Sequence, residues 1–426
     1  MSRDFDVVIV GGGVNGLVLA GLLVARKLTM ASRLALVAER FSISDPSEIK
    51  GVGVEVGWDL RVFALNRASQ VLLRHCGVWD ALPPNRVFAY ERMCVWAAGG
   101  AAEQRGSLKF DCAEIGEANL GHIVEGRALQ RQCLQAARAA GVVLIEAAIA
   151  RVAMNDVAAR IYLSDGRELR SQLLVAADGT ESKTRELLGM GTAGHSYLQD
   201  ALVAHVRTGK PHNNTAWQRF LSTGPIAFLP LPDGRSSIVW SVAREEAARL
   251  RALEPGAFGA ALTAASGEAL GQCELTTAVA SFPLKLRYAT SYAQSRAVLL
   301  GDAAHTVHPL AGQGLNMGLM DCASLVQILS EAGGVRAFGD YKVLRRYERE
   351  RKSENLLMAT ALDGLDRLFG SAHPLSVHLG AVGLAAVDKI PLLKRQFAYR
   401  AMGLKGDLPP FLQSIQLGGA NEVVLG

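Results

Sequence analysis

The hydrophobic positions near the start of the chain predict a strand, a loop, a helix and a second strand. Residues 6–10 form an apolar run of the buried-strand type, residues 17–26 are rich in Leu, Val and Ala, and residues 35–37 form a second short apolar run. The loop at residues 11–16 fits the pattern G-x-G-x-x-G, and Glu39 lies roughly 20 residues beyond it. Because the strand, loop, helix, second strand and acidic residue follow one another in the expected order and spacing, the stretch predicts a dinucleotide site. A pyrophosphate would lie at the helix N-terminus and a ribose hydroxyl at Glu39.

A second strand-loop-helix pattern lies three-quarters of the way along the chain. Residues 297–300 predict a buried strand, residues 301–314 a loop, and the apolar-periodic segment from Leu315 a helix. The N-H groups and positive dipole end of such a helix suit an anionic or electron-rich ligand above the loop. Asp302, directly after the strand, is placed to accept hydrogen bonds from a sugar or polyol chain. Taken alone, the stretch also allows a tight turn in which Asp302 caps the helix and His305 is a solvated loop histidine.

Residues 191–284 change to alternating apolar and polar positions, which predict an antiparallel sheet. Such a sheet laid over a cofactor would form the roof of a substrate cavity. Trp217, Phe228 and Trp240 are candidates to line that cavity, although aromatic residues in strands are also ordinary core residues. Both interpretations stay open. The predicted strands cover residues 201–207, 217–221, 226–231 and 236–242.

Other segments carry clear local signals. An Asp-Gly pair at residues 164–167 predicts a hairpin, and residues 173–177 predict another buried strand. Residues 88–113 have a mixed strand-like pattern. The predicted helices cover residues 68–76, 126–140, 244–265, 315–329 and 341–362.

Composition indicates a globular chain without an obvious macromolecular partner. The chain has 426 residues, of which 50% are hydrophobic, so it has material for two domains and a sizeable core. A net charge of +5 does not indicate nucleic acid, and a basic face toward anionic lipid is equally compatible with it. The six cysteines show no C-x-x-C pair or metal-type spacing, so we expect free thiols and no metal site. With no secretory signal and no apolar run of about 18 residues, we expect a cytoplasmic protein without a spanning helix.

The C-terminal region combines apolar and basic segments. Residues 375–387 are apolar and rich in small residues, and few acids accompany the basic residues that follow. A basic, apolar helical tail suits the interfacial plane of a membrane. Packing on the catalytic core or on a second copy of the chain is the open alternative. The basic residues are Lys389, Lys394, Arg395, Arg400 and Lys405.

The glycine-rich stretches, together with Asp178-Gly179 after a further apolar run, resemble the flavin-binding signatures of the class A aromatic hydroxylases related to para-hydroxybenzoate hydroxylase. More narrowly, residues 311–316, 59–65 and 120–125 resemble the ubiquinone-biosynthesis hydroxylases of the UbiH, UbiF and VisC type. The resemblance covers nearly the whole chain. It implies an α/β fold: a Rossmann-like FAD-binding domain of the para-hydroxybenzoate hydroxylase type, an inserted antiparallel-sheet substrate domain and a helical C-terminal tail.

The resemblance also implies how the chain divides into domains. The FAD-binding domain is expected at residues 1–80, 114–190 and 285–362, the substrate domain at residues 81–113 and 191–284, and the helical C-terminal region at residues 363–426.

Enzymes of this type reduce FAD with NAD(P)H and use O2 to hydroxylate an electron-rich ring. The resemblance therefore implies a monooxygenase acting on a polyprenylated phenol or quinol intermediate of ubiquinone biosynthesis. It assigns Arg61 to the FAD pyrophosphate, which a planar fork of donors suits, although a surface salt bridge is the alternative. The expected cofactor-binding residues are Gly11, Gly13, Val14, Asn15, Gly16, Glu39, Arg40, Arg61, Arg127, Val152, Asp302, Pro309, Gly312, Gln313, Gly314, Leu315 and Asn316.

No catalytic base is assigned by these patterns. His305 and His308 lie in the right loop to influence proton transfer, and His308 is a further candidate for substrate contact. Asp178 is expected to tie its loop down rather than to do chemistry, and Ser182 and Arg185 match the usual spacing of that motif.

Several alternatives on the same fold stay open: a hydroxylase of a soluble phenol, an isoprenoid reductase or a non-catalytic prenyl-binding escort protein. The halogenase signature W-x-W-x-I-P is missing, because no two of the five tryptophans lie two residues apart. Prenyl reductases usually lack a histidine after Gly-Asp-Ala-Ala, where this chain has His305. The expected partner is a small polyprenyl phenol. Peripheral membrane association, a complex with other ubiquinone-biosynthesis proteins and a homo-oligomer are open, and nucleic acid is not expected.

Overall fold

The computed structural model describes residues 2–41, 57–98, 100–104, 107–307, 312–370, 388, 390–404 and 409–413. The strands are β1 (Ser2–Val10), β2 (Leu34–Ala38), β3 (Val62–Leu65), β4 (Val87–Tyr90), β5 (Arg92–Ala97), β6 (Leu108–Asp111), β7 (Gly121–Glu125), β8 (Val143–Glu146), β9 (Ile149–Met154), β10 (Ala159–Leu163), β11 (Glu168–Ala176), β12 (Thr192–Thr208), β13 (Thr215–Leu221), β14 (Gly224–Pro230), β15 (Ser236–Ala243), β16 (Cys273–Leu275), β17 (Ala280–Ala289), β18 (Ala293–Gln294), β19 (Ala297–Leu299) and β20 (His305–Thr306). The helices are α1 (Val14–Ala25), α2 (Arg67–His75), α3 (Gly126–Ala139), α4 (Lys183–Leu187), α5 (Arg244–Arg251), α6 (Pro255–Ser266), α7 (Gln313–Ser330), α8 (Tyr341–Gly370) and α9 (Pro391–Ala401), with a helical turn at Pro410–Gln413.

The first sheet has eight strands within the described ranges and a parallel centre. Its main order is β18-β19-β11-β1-β2-β8, and the β9-β10 hairpin pairs with β11. Strand β1 lies between β11 and β2, parallel to both, and its residues 5–10 are all buried. This explains the continuous apolar run, since a strand covered on both faces needs no polar alternation. The carboxyl ends of β1, β2, β11 and β19 meet at one edge, where the glycine-rich loop, Glu39, Asp178 and Asp302 follow them.

Helices cover one face of this sheet. Helix α1 packs against α3 and α7, and these helices share a large core with the sheet. A second core lies on the opposite face, where Phe5, Val8 and Val37 pack with Ile161 of the β9-β10 hairpin. All six cysteines are unpaired.

The second sheet is almost wholly antiparallel and confirms the prediction for residues 191–284. Its order in the described residues is β20-β17-β12-β15-β14-β13-β5-β6, with β16 on β12. Among the described strands of this sheet, only the β13-β5 pairing is parallel. Strands β5 and β6 come from residues 92–111, so an early segment of the chain completes a sheet built mainly from later residues. This pairing supports the predicted division into domains, which stays a prediction.

Four predicted helices differ from the observed ones by more than one residue, and the first of them, predicted for residues 17–26, is α1 and begins at Val14. The helix predicted for residues 244–265 is two helices, because Pro255 begins α6 at a position where its missing N-H is not needed. Helix α7 begins at Gln313, earlier than Leu315, and α8 continues to Gly370, beyond residue 362.

Part of the predicted tail lies outside the described residues, namely residues 375–387, Lys389 and Lys405. Helix α9 packs on the core of the chain, where Ala398 and Met402 contact a cluster that contains Cys112 and Leu120. Across the helices that the structure describes, none is both long enough and apolar enough to cross a bilayer.

Candidate active site

A cavity of about 1230 Å³ lies between the carboxyl edge of the first sheet and one face of the second. Its lining includes both glycine-rich loops, the end of β2 and the second sheet, which forms the roof of the cavity. The cavity therefore has two parts. One part, which we call the cradle, is lined by the two glycine-rich loops and the end of β2, and the other part lies beneath the second sheet.

In the loop at residues 11–16, two glycines are required by the fold and a third faces open space. Gly11 has a φ of +127°, and a Cβ there would lie 2.2 Å from the carbonyl oxygen of Ala177. A Cβ on Gly16 would lie 2.2 Å from the carbonyl oxygen of Gly11. A Cβ on Gly13, by contrast, would meet no described atom within 4 Å. Gly13 is the N-cap of α1 and no described side chain caps it, so the first N-H groups of α1 face the cavity.

Polar side chains surround this loop. Glu39 and Arg61 line the cavity, and the Arg61 guanidinium lies 5.0 Å from the centre of the Phe63 ring. Arg127 also lines it, with its Nε 3.5 Å from a carboxylate oxygen of Asp59. Gln130, which the sequence did not single out, donates from Nε2 to the Gly12 carbonyl at 3.1 Å and so supports the loop.

The second glycine-rich loop presents another helix N-terminus to the cavity. Gly312 is the N-cap of α7 with a φ of +62°, and no described side chain caps the helix. Residues 312–316 line the cavity, as does Asp302. Burial raises the pKa of Asp302, and the positive charges of His305 and Arg61 act against that rise. Pro309 and His308 lie outside the described residues.

Asn316 holds this loop in place with its side chain. Its Oδ1 accepts from the Asn66 N-H at 3.0 Å and from the Ser69 hydroxyl at 2.7 Å, and its Nδ2 donates to the Ala64 carbonyl at 2.9 Å. Its amide thus ties the start of α7 to β3 and α2.

A buried ion cluster behind this loop was not found from the sequence. Asp321 accepts from His305 Nε2 at 2.6 Å, Arg351 Nε at 2.8 Å, Asn355 Nδ2 at 3.0 Å and the Gly301 N-H at 3.0 Å. Burial alone raises the pKa of Asp321, but the charges of His305 and Arg351 outweigh burial and hold that pKa well below its usual range. The interpretation of His305 as a solvated loop residue is therefore wrong, since it is buried and ion-paired.

The Asp178 loop is tied down as predicted. The carboxylate of Asp178 accepts from the Thr184 N-H at 2.9 Å, from the Thr184 hydroxyl at 2.8 Å and from the Ser182 hydroxyl. Arg185 is buried and donates to the carbonyls of Ala303 at 2.9 Å and Thr180 at 3.1 Å. This arginine thereby joins the Asp178 loop to the Asp302 loop.

The roof of the cavity follows strand alternation. Trp217 lines the cavity, but Phe228 and Trp240 do not line the cavity that the described residues form. They face the opposite side of the sheet and pack in a core with Ile238 and Phe258. The assignment of Phe228 and Trp240 to the substrate cavity is therefore wrong, and the alternative interpretation as core residues holds. Trp217 borders the cavity, but it is the register partner of Phe228 and packs in the same core. The residues that face the cavity from β12, β14 and β15 are Ala201, Val203, Pro225, Ala227, Leu229, Ser237, Val239 and Ser241.

Three residues that were expected to bind the cofactor, Val152, Gly16 and Arg40, do not line the cavity that the described residues form. Val152 pairs with Ile161 in the β9-β10 hairpin and packs there, whereas residues 147–149 line the cavity at this point. Gly16 is buried beneath the loop, and Arg40 is exposed. The remaining described candidates, Gly11, Gly13, Val14, Asn15, Glu39, Arg61, Arg127, Asp302, Gly312, Gln313, Gly314, Leu315 and Asn316, all line it.

The lining fits FAD by its chemistry. Two uncapped helix N-termini suit the pyrophosphate and the electron-rich edge of the flavin, and a half-buried carboxylate at Asp302 suits the hydroxyls of the ribityl chain. Asn15 adds a buried Oδ1 that has no partner among the described residues.

Comparison with known proteins agrees with this chemistry. A family model described as FAD binding domain matches residues 66–359. The chain is 31% identical to 3-demethoxyubiquinol 3-hydroxylase of Escherichia coli (strain K12) over 408 residues, covering 95% of this chain and 100% of that protein. It is 34% identical to ubiquinone hydroxylase UbiL of Rhodospirillum rubrum over 412 residues, covering 96% of this chain and 92% of that protein.

Among solved structures, the chain is similar to p-nitrophenol 4-monooxygenase PnpA from Pseudomonas putida DLL-E4. The TM-score is 0.73 at 17% sequence identity, with 96% of this chain and 100% of that chain covered. At this identity the similarity establishes the fold alone.

Proposed function

We propose a reaction from one premise: this chain belongs to the family of FAD-dependent monooxygenases that includes the ubiquinone hydroxylases. We propose that it uses NAD(P)H and O2 to hydroxylate the aromatic ring of a polyprenylated phenol or quinol intermediate of ubiquinone biosynthesis. The observation that carries this proposal is the single cavity that joins the FAD-type cradle to a roof of small apolar side chains.

The cradle suggests a role for each part of the cofactor site. The pyrophosphate would lie at Gly13 and the N-terminus of α1, near Arg61, because free N-H groups and a guanidinium bind phosphate oxygens. Glu39 would accept from the ribose and Asp302 from the ribityl chain. FAD, when bound, supplies the redox chemistry of the reaction.

The N-terminus of α7 would stabilise negative charge on the flavin. Its uncapped N-H groups and the positive end of its dipole face the cavity at residues 312–315. Donors that are fixed before the reaction stabilise developing charge without reorganising. Asn316 holds them in that position.

The roof would hold the ring and its chain. Ala201, Ala216, Ala227 and Val239 present small apolar side chains that leave room for a flat ring. The lining also reaches Ala401 of α9, which extends the apolar space beyond the roof.

Cofactor binding is tested with two variants and a matched control. We expect Gly13→Val to fold and lose FAD, because its side chain enters open space that only a bound ligand would occupy. Asp302→Ala should weaken FAD binding. Gly256→Val is the control, since Gly256 also lies at a helix N-terminus with no described atom within 4 Å of its Cβ but away from the cavity. The measurements are bound flavin per protein and circular dichroism, and full flavin in folded Gly13→Val protein would overturn the assignment.

The substrate is tested in a strain that lacks this protein. We expect a polyprenylated, under-hydroxylated quinone precursor to accumulate, as detected by mass spectrometry, and to disappear when the intact gene is returned. An unaltered quinone profile in the deletion strain would refute the proposed substrate.

The outer face of α9 supports peripheral membrane association. Leu392 and Phe397 are 72% and 50% exposed, and Arg395 and Arg400 are exposed on the same helix. Lys394, which the sequence counted among the free basic residues, instead pairs with Glu114 at 2.8 Å and Asp388 at 3.4 Å. We infer that this face meets an anionic bilayer surface. The complex with other biosynthetic proteins and the homo-oligomer stay predictions.

Liposome flotation tests this inference. Binding of the intact protein should weaken as the Debye length falls from about 10 Å at 0.1 M salt to about 3 Å at 1 M. Leu392→Glu with Phe397→Glu should abolish it, whereas Val157→Glu, at another exposed apolar residue, should not. Equal flotation of both variants, or flotation that ignores salt, would count against docking through α9.

A further inference from the structure

Two polar residues lie opposite each other on neighbouring roof strands. His205 of β12 is the register partner of Ser237 of β15. Ser237 lines the cavity, as do Ala201 and Val203 of β12, and alternation places His205 on that same face of the sheet. We refer to His205 and Ser237 as the polar row.

The polar row is buried and lacks partners. Both residues are 0% exposed, and neither ring nitrogen of His205 nor the hydroxyl of Ser237 has a hydrogen-bond partner among the described residues. A buried polar group left without a partner costs about 1–3 kcal/mol, so folded proteins seldom keep several together without a use. Of the two, Ser237 lies at the cavity wall, where a bound ligand would supply the missing partner, and His205 is not part of the lining.

The uncharged side chains of the polar row favour a ligand group that is also uncharged. Burial, with help from the charge of Arg235 and against that of Asp233, lowers the pKa of His205 to about 4. The imidazole is therefore neutral near pH 7, with one nitrogen that donates and one that accepts. A neutral imidazole and a hydroxyl suit a ligand hydroxyl better than a carboxylate or phosphate. The neighbouring Leu229 and Val239 line the cavity with apolar surface that suits the ring bearing that hydroxyl.

We propose that Ser237 binds the substrate by a hydrogen bond to a ring hydroxyl, and that His205, its register partner on β12, is a positioning residue. The inference rests on the proposed function for the identity of the ring, and it adds the atoms that recognise it.

The neighbouring serine provides a matched control. Ser236 is also 0% exposed, and its hydroxyl also lacks a partner among the described residues. It pairs with Val206, which belongs to the core on the other face of the sheet, and it does not line the described cavity. Ser236→Ala and Ser237→Ala therefore make the same chemical change on opposite faces of one strand.

The experiment compares two probes on the FAD-loaded enzyme. The probes are 2-methoxyphenol and its methyl ether, 1,2-dimethoxybenzene, and binding is followed by the change in flavin absorbance. A neutral hydrogen bond contributes about 0.5–1.5 kcal/mol, so the wild type should prefer the phenol by about two- to tenfold. Ser237→Ala should bring the ratio of affinities close to one, and Ser236→Ala should leave it unchanged. His205→Leu should lower the ratio, and His205→Asn should restore part of it.

Each other outcome overturns the proposal. A ratio that survives in Ser237→Ala, an equal loss in Ser236→Ala, or no preference in the wild type would show that Ser237 does not bind the hydroxyl. If Ser237→Ala fails to retain FAD, Ser237→Cys keeps the volume with a weaker hydrogen-bonding group and is read in the same way. The deletion-strain quinone profile tests the proposed function separately. A normal profile together with a Ser237 effect would refute only the proposed substrate, and an altered profile without that effect would refute only the role of Ser237.

Discussion

Two buried histidines lie in opposite surroundings on the two sides of this protein's cavity. His305 pairs with Asp321, whose two oxygens receive four hydrogen bonds, and only the Nδ1 of His305 lacks a partner among the described residues. His205 has no side-chain partner in the described part of the chain, and Ser237 opposite it has none either. The carboxylate of the first cluster is fully paired within the protein, whereas both residues of the second are unpaired among the described residues and one of them, Ser237, lines the cavity.

Charge explains the difference. A buried carboxylate must be paired, because an unpaired ion in a low-dielectric interior is far less stable than one in water. A neutral hydroxyl or imidazole can stay unpaired at about 1–3 kcal/mol. A protein can therefore leave neutral groups open for a ligand, while an ion such as Asp321 is used to hold the Gly301 turn beside Asp302.

The largest expected effect comes from breaking the ion cluster. Asp321→Leu should lower the free energy of unfolding by about 3–5 kcal/mol, because it removes the buried carboxylate that pairs with both Arg351 and His305 and leaves Arg351 only the partly exposed Glu354 as an ion partner. Adding Arg351→Met should recover part of the loss. Urea unfolding measures both changes. Asp80→Ala, which breaks an exposed pair with Arg74 at 3.2 Å, is the control and should cost less than about 1 kcal/mol. A loss at Asp321 no larger than at Asp80 would remove the contrast between the clusters.

The pH dependence of stability should separate the two histidine surroundings. The pKa of His205 falls from 6.5 to about 4 on folding, so the unfolded state takes up the proton first. The wild type should therefore lose up to about 3 kcal/mol between pH 6.5 and pH 4 that His205→Asn does not lose. Denaturant titrations across this window measure the difference. Parallel curves for the two proteins would mean that His205 takes up a proton as easily in the fold as in the unfolded chain.

Asp321 should act in a different window. Its folded pKa lies below the unfolded value, so its contribution is present above about pH 4 and is lost as pH falls further. The stability gap between the wild type and Asp321→Asn should thus narrow as pH falls below about 4. A gap that closes near pH 6 would indicate that another group dominates the cluster.

The smallest expected effect is on the roof serines. Ser237→Ala and Ser236→Ala each remove a buried hydroxyl that has no partner in the described residues, so stability should change by less than about 1 kcal/mol, with either sign. Thermal unfolding of the FAD-loaded protein measures both. A loss above about 2 kcal/mol for Ser237→Ala would show that its hydroxyl is already bonded within the protein, and the contrast with Asp321 would fail.

The local pattern of residues was enough to predict most strands and helices and most of the residues that line the cradle. The sequence predicts strand β1, the glycine loop, an antiparallel sheet in residues 191–284 and the position of Asp302 after a strand, because apolar periodicity and glycine spacing are properties of neighbouring residues. The break before α6 was missed, although Pro255 carried the signal.

The face toward which a strand residue points and the partners of distant charges depended on the tertiary structure. Phe228 and Trp240 face the core because of the register of β14 and β15, which a single strand does not reveal. Asp321 and Arg351 are 30 residues apart and meet His305 only when α7 and α8 pack behind the loop. The amino-acid sequence thus determined where strands, helices and glycine loops form, since these depend on short-range chain geometry. Packing alone decided which polar groups are paired and which face the cavity, since burial and partnership arise between segments far apart in the chain.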